Sequence, residues 1–117
     1  MNPIQLFFCW ILLCFTSVSH AETSKPYTVY VVPQLSTVEI HKAWIPILTK
    51  LTQATKLQFE LKILPTIPAF EKAVFAGEAD FAFMNPYHEV VAKRVQGYIP
   101  LIHDEKALEG ILVVRKD

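Results

Sequence analysis

The sequence predicts an α/β domain: a mostly parallel sheet with flanking helices. Three observations carry that prediction. Runs rich in β-branched and aromatic residues alternate with segments whose apolar residues recur at helical spacing. The connections between them are short and marked by Pro, Ser, Thr, Asn or Gly. The order is strand, helix, strand, helix, strand, helix, strand, strand. Such alternation requires crossover connections, which make the sheet mostly parallel and are right-handed.

The chain opens with a targeting segment. Ile4 to Phe15 is an apolar run, and Thr16-Ser17-Val18-Ser19-His20-Ala21 follows it. Ser19 and Ala21 are the small residues a signal peptidase reads, so residues 1–21 are expected to be a signal peptide cleaved after Ala21. An uncleaved anchor is the other reading, but the run falls short of the ~20 residues that span a bilayer. Both cysteines, Cys9 and Cys14, lie in this segment. The exported chain therefore has no disulfide and relies on an apolar core.

Glu22 to Pro26 is a polar leader. Tyr27 to Val32, "YTVYVV", is a strand that stops at Pro33. Ser36 and Thr37 offer N-cap oxygens. Ile40, Trp44, Ile47, Leu48 and Leu51 then share one helical face, and Pro46 within it predicts a kink or a late start. Leu57 to Leu64, "LQFELKIL", alternates as a strand does. Pro65 to Pro68 reads as a connection, Ala69 to Ala76 as a short helix, and Gly77 as its cap. "DFAF", Asp80 to Phe83, reads as a short buried strand. Asn85 as N-cap and Pro86 at the first helical position open a helix to about Gln96, and Gly97 closes it. Tyr98 to Ile102 and Gly110 to Val114 read as two further strands.

Charge excludes some partners. Eleven basic residues balance eleven acidic ones, for a formal net charge of +0. No basic stripe for nucleic acid or polybasic membrane patch stands out. Sequence signatures of catalysis are also missing: there is no Gly-x-Ser-x-Gly, no phosphate-binding Gly-rich loop and no His-Glu-x-x-His. His41, His88 and His103 are scattered without a local ligand pair. An enzyme and a metal-binding protein are thus remote alternatives, and no cofactor is expected.

In open sheets of this kind ligands bind beyond the carboxyl ends of the strands. Three segments of the chain arrive there: Pro33-Gln34-Leu35-Ser36, Pro65-Thr66-Ile67-Pro68 and Met84-Asn85-Pro86-Tyr87-His88. The third combines a capped helix start, free N–H groups expected at Tyr87, His88 and Glu89, side-chain donors and an apolar wall. Such a terminus can hold an anion. The candidate ligand-binding residues are Gln34, Thr66, Met84, Asn85, Tyr87 and His88. The same stretch also fits a plain helix start with no ligand.

Three stretches together carry a family resemblance. "YTVYVVPQLSTVEIHKAWIPILTKLTQAT" resembles the first strand, loop and helix of substrate-binding proteins from phosphonate and phosphate-type ABC transporters. "AFEKAVFAGEADFAFMNPYHEVVA" resembles their next helix, buried strand and Asn-Pro helix start. "GYIPLIHDEKALEGILVVRKD" resembles the strand pair leading to their second lobe. The resemblance implies a type II periplasmic binding fold, of which residues 22–117 supply one incomplete lobe, because such proteins have well over twice this length. It implies a monomeric periplasmic protein that captures a small anionic solute, such as phosphate, phosphite or phosphonate, for an ABC transporter permease. It also admits a sensor module of a membrane signalling protein. Tyrosines that line the ligand in well-studied phosphonate binders correspond to Ile67 and Met84, so two phenolic donors are absent.

Overall fold

A computed structural model describes residues 25–106, 110–111 and 113–116. The expected signal peptide, its cleavage after Ala21, Cys9 and Cys14 lie outside the described residues, as does Leu112 within the last expected strand. The elements are β1 (Tyr27–Val31), α1 (Thr37–Thr55), β2 (Phe59–Ile63), α2 (Ile67–Phe75), β3 (Phe81–Phe83) and α3 (Pro86–Gln96). Among the described residues the sheet is three-stranded in the order β2-β1-β3. Both pairings are parallel, with Val29 beside Leu61 and Phe81, and Val31 beside Ile63 and Phe83.

The two-residue period of a strand sorts these side chains onto two faces. Tyr30 and Val32 point toward α2 and α3, where they join Phe70, Ala73, Val74, Ala79 and Ala92 in the main core. Phe70 and Val74 are wholly buried there. Val29 and Val31 are buried on the opposite face, the side of α1. β1 connects outward to β2 on one side, and β2 then crosses to β3 on the other. Right-handed crossovers therefore place α1 and α2 on opposite faces of the sheet.

α1 begins at Thr37 because Ser36 and Glu39 form a capping box. Glu39 N–H donates to Ser36 Oγ, and the Ser36 N–H and hydroxyl donate to the Glu39 carboxylate. The helix thus starts well before Pro46, and the late start is not seen. Pro46 removes only the N–H that would reach the carbonyl of Lys42. Of the five residues expected on its apolar face, Ile40 and Leu48 are buried, whereas Ile47 and Leu51 are exposed. The reason is the narrow sheet: α1 packs chiefly on β2, and Trp44 reaches toward β3, its ring 5.0 Å from that of Phe83.

α2 starts two residues earlier than its sequence suggests. Thr66 caps it through Ala69 N–H, and Pro68 fits the first turn, where a missing donor does no harm. Its end is a Schellman motif: Gly77 N–H reaches Val74 O, and Glu78 N–H reaches Ala73 O. Gly77 has φ +77°, which favours glycine.

Three expectations need correction. β3 is not a buried strand. Among the described residues it is an edge with a neighbour on one side only, and Phe81 and Phe83 are exposed. Tyr98 to Ile102 is not a strand. Tyr98 does pack against the core and donates its hydroxyl to Ala79 O at 2.6 Å, but Pro100 lacks a ladder donor. Gly110, Ile111, Val113 and Val114 are likewise not in a strand. Strand character needs a partner, and no described strand lies beyond β3. α3 runs as expected, from the Asn85 cap to Gly97 at φ 73°. No helix among the described residues is long and apolar enough to cross a membrane.

Candidate functional site

Because all three strands are parallel, their carboxyl ends share one rim of the sheet. The first turns of α1, α2 and α3 lie along that rim, each behind a capping residue: Ser36, Thr66 and Asn85. The topology therefore brings together the three loops singled out in the sequence. Their side chains differ in what they have left to offer.

Gln34 is exposed, and its N–H closes a tight turn onto Val32 O at 2.9 Å. Thr66 Oγ1 accepts from Ala69 N–H at 3.3 Å. Met84 is half-buried and packs against the main core. Asn85 Oδ1 accepts from His88 N–H at 3.0 Å, and its carbonyl accepts from Glu89 N–H at 3.1 Å. Of the three backbone donors expected here, the His88 and Glu89 groups are thus engaged within the helix start. Tyr87 N–H is the donor left, and the Tyr87 side chain is 68 % exposed.

His88 departs from expectation. Its side chain does not stand on the rim: the residue is 2 % exposed and lies between α2 and α3. Nε2 stands 2.9 Å from Glu71 Oε1. A carboxylate accepts, so the ring donates through Nε2–H. Phe70 meets the ring edge-on at 5.6 Å, and Tyr87 does so at 5.7 Å. Nδ1 is buried without a hydrogen-bond partner. The physical reason is packing, since α2 lies along this side of α3 and its phenyl groups accept the flat imidazole. Sequence reasoning missed Glu71. No sequence spacing signals a pair made between two helices.

It also missed the roles of two carboxylates, one of which was legible. Ser36-Thr37-Val38-Glu39 is a capping-box pattern. The Ser36 hydroxyl, then its N–H, hold the Glu39 carboxyl below the usual range, so α1's positive end already faces a negative charge. α2 has no acidic residue in its first turn, and α3 has Glu89. The other carboxylate, Asp80, lies at the opposite rim and binds Thr28.

Two shallow grooves lie away from this rim. One, of about 300 Å³, runs between α1 and β2 past Leu48, Thr52 and Phe59. The other, of about 290 Å³, lies by Gly77, Gln96 and Tyr98. Among the described residues no three His, Cys, Asp or Glu side chains stand together as metal ligands. The rim can therefore offer hydrogen-bond donors, a phenol and apolar contacts.

A model of the family described as "ABC transporter, phosphonate, periplasmic substrate-binding protein" matches residues 29–117, from β1 onward. No curated protein matches the chain. A match over that much of the chain, on an α/β sheet of this topology, is sufficient: the chain belongs to the phosphonate-binding family of ABC-transporter periplasmic substrate-binding proteins.

Proposed function

We propose that residues 22–117 form most of the first lobe of an exported solute-binding protein. After removal of residues 1–21 it works in the periplasm. With a second lobe it captures a small anionic ligand such as phosphate, phosphite or a phosphonate, and it presents that ligand to an ABC transporter permease. Its task is capture rather than catalysis. The observation that supports this reading most is the shared rim, where three helix starts converge on one end of a parallel sheet within a chain of this family.

The ligand contacts are expected at Gln34 and Tyr87, with the Tyr87 N–H beside them. Thr66 and Asn85 act through the helix starts they cap, and Met84 forms the apolar floor. His88 acts from behind, holding the ring next to Tyr87. Binding from one side leaves the ligand open to water, so a single lobe binds weakly, and closure against a second lobe supplies the remaining contacts.

The test is calorimetry with phosphate, phosphite and methylphosphonate, on this chain and on a form that carries a second lobe. Tight binding is expected only in the two-lobed form. No binding of any of the three by the two-lobed form would overturn the ligand class. Submicromolar binding by the present chain would overturn the need for a second lobe.

A further inference from the structure

Resting on the reading of Tyr87 as a ligand contact, we propose that Glu71 is a positioning residue for the rim: it holds the His88 ring in one tautomer and one orientation, and through that ring it sets where the Tyr87 phenol stands. Glu71 lies in the second turn of α2 and His88 in the first turn of α3, so their pair joins the two helices. The His88 side chain is 3 % exposed and that of Glu71 31 %. Glu71 Oε1 accepts from His88 Nε2–H at 2.9 Å. At the other side of the ring, Nδ1 is buried and has no hydrogen-bond partner among the described residues. A ring held at both nitrogens would keep its place when one bond was lost. This ring has a single polar anchor among the described residues, and that anchor is Glu71. The bond also chooses the tautomer, because a carboxylate only accepts and so fixes a proton on Nε2. The opposite tautomer would set a lone pair against the carboxylate and bury an unpaired N–H.

The His88 ring is in turn a wall for Tyr87. The two rings meet edge-on, with centroids 5.7 Å apart and planes at 62°, an arrangement aromatic pairs favour. Phe70 at 5.6 Å and Phe75 at 6.5 Å close the slot around the imidazole. That packing confines the ring but does not distinguish its two nitrogens; the hydrogen bond does. Tyr87 is the second residue of α3, so no earlier helical turn blocks any of its three staggered χ1 wells. With the wall in place one well is favoured. Without it the fraction of Tyr87 in the binding position falls toward about a third, and the apparent Kd rises about two- to threefold. The charge of Glu71 acts the other way. It repels an anion at the rim, so removing the charge alone would tighten binding.

Nuclear magnetic resonance on the present chain tests the device without a ligand. In the wild type, the imidazole nitrogen shifts of His88 should place a proton on Nε2, and the Tyr87 χ1 couplings should report one rotamer. Glu71→Ala should average those couplings. Glu71→Gln, which keeps an acceptor oxygen, should restore the single rotamer. Calorimetry of a two-lobed form with phosphate, phosphite and methylphosphonate then reads the effect at the rim. Glu71→Ala should weaken the anion that binds by about two- to threefold, and Glu71→Gln should recover the loss. Tighter binding in both variants would mean that only the charge matters, and it overturns the positioning role. So does a His88 ring protonated on Nδ1 alone. So do Tyr87 couplings that are averaged in the wild type or unchanged in Glu71→Ala. If Glu71→Ala does not fold, Glu71→Met fills the same space without an acceptor and decides in its place. If the couplings respond as expected while none of the three anions binds, the positioning stands and the ligand reading alone fails.

Discussion

Replacing Asp80 with Ala removes the clasp between the edge strand and the centre of the sheet. Thr28 donates to Asp80 Oδ2 from both its backbone N–H and its Oγ1, each at 2.8 Å, and Asp80 N–H returns to Thr28 Oγ1 at 3.0 Å. The Thr28 N–H, and secondarily its hydroxyl, hold the Asp80 carboxyl below its ordinary value of 3.8; burial opposes this to a lesser extent. Hydrogen bonds to a charged group contribute about 1.5–3 kcal/mol, but Asp80 is exposed and solvent screens it, so the expected loss is about 1 kcal/mol. In a domain of this size that lowers Tm by about 4–8 °C. The sign of the pH dependence follows from the direction of the shift. A carboxyl with a lower pKa folded than unfolded stabilises fully above 3.8, and that contribution fades as the pH falls through the lower folded value. Thermal melts of wild type and D80A, followed by circular dichroism, should differ at about pH 7 and converge in acid below the usual aspartate range. D80N keeps an acceptor oxygen without the charge and should fall between them. Identical melts at neutral pH, or a gap that persists unchanged in acid, would refute the clasp.

Three other substitutions separate binding from folding. Tyr87→Phe should weaken binding of the preferred anion by a two-lobed form about tenfold or more while leaving the melt unchanged, as calorimetry and thermal denaturation would show. His88→Ala should act on stability, at about 2 kcal/mol or more in urea denaturation, because it empties a buried site against Phe70 and leaves Glu71 unpaired. Gly77→Ala should cost about 1 kcal/mol by the same assay, since φ is +77° and the new Cβ would stand 3.0 Å from Gln96 Oε1. The Gln96 amide is itself tied to Phe75 O at 2.7 Å and cannot move freely.

The parts of the fold that were legible in the sequence are those written in local chemistry. Asn85-Pro86 and Gly97 fixed α3 at both ends, and "YTVYVV" marked β1 to within a residue. α2 was misread at its start because Pro68 resembles a loop residue, although a proline in the first helical turn is equally well accommodated. The strand expected at Tyr98–Ile102 failed for a different reason: β-propensity describes a side chain's fit to a pleated surface, and pairing depends on a neighbour that local sequence does not specify. The rim was foreseeable from the parallel order of strands. The fate of His88 was not, because a third helical position says nothing about which helix lies alongside, and the Glu71 pair joins two elements.

The position of β1 also governs how the chain acquires its shape. β1 is the first strand in sequence and the central one in space, with Tyr27 beside Phe59 and Val29 beside Phe81. No pair of strands in this sheet forms as a local hairpin. Each contact waits for a helix-length loop to close, and the second loop is longer than the first. A chain emerging from its amino end must therefore hold one edge of its central strand unpaired until β3 has followed. Such topology folds more slowly than a helical bundle of equal size, and its central strand is the segment most exposed to capture or misassociation during that wait.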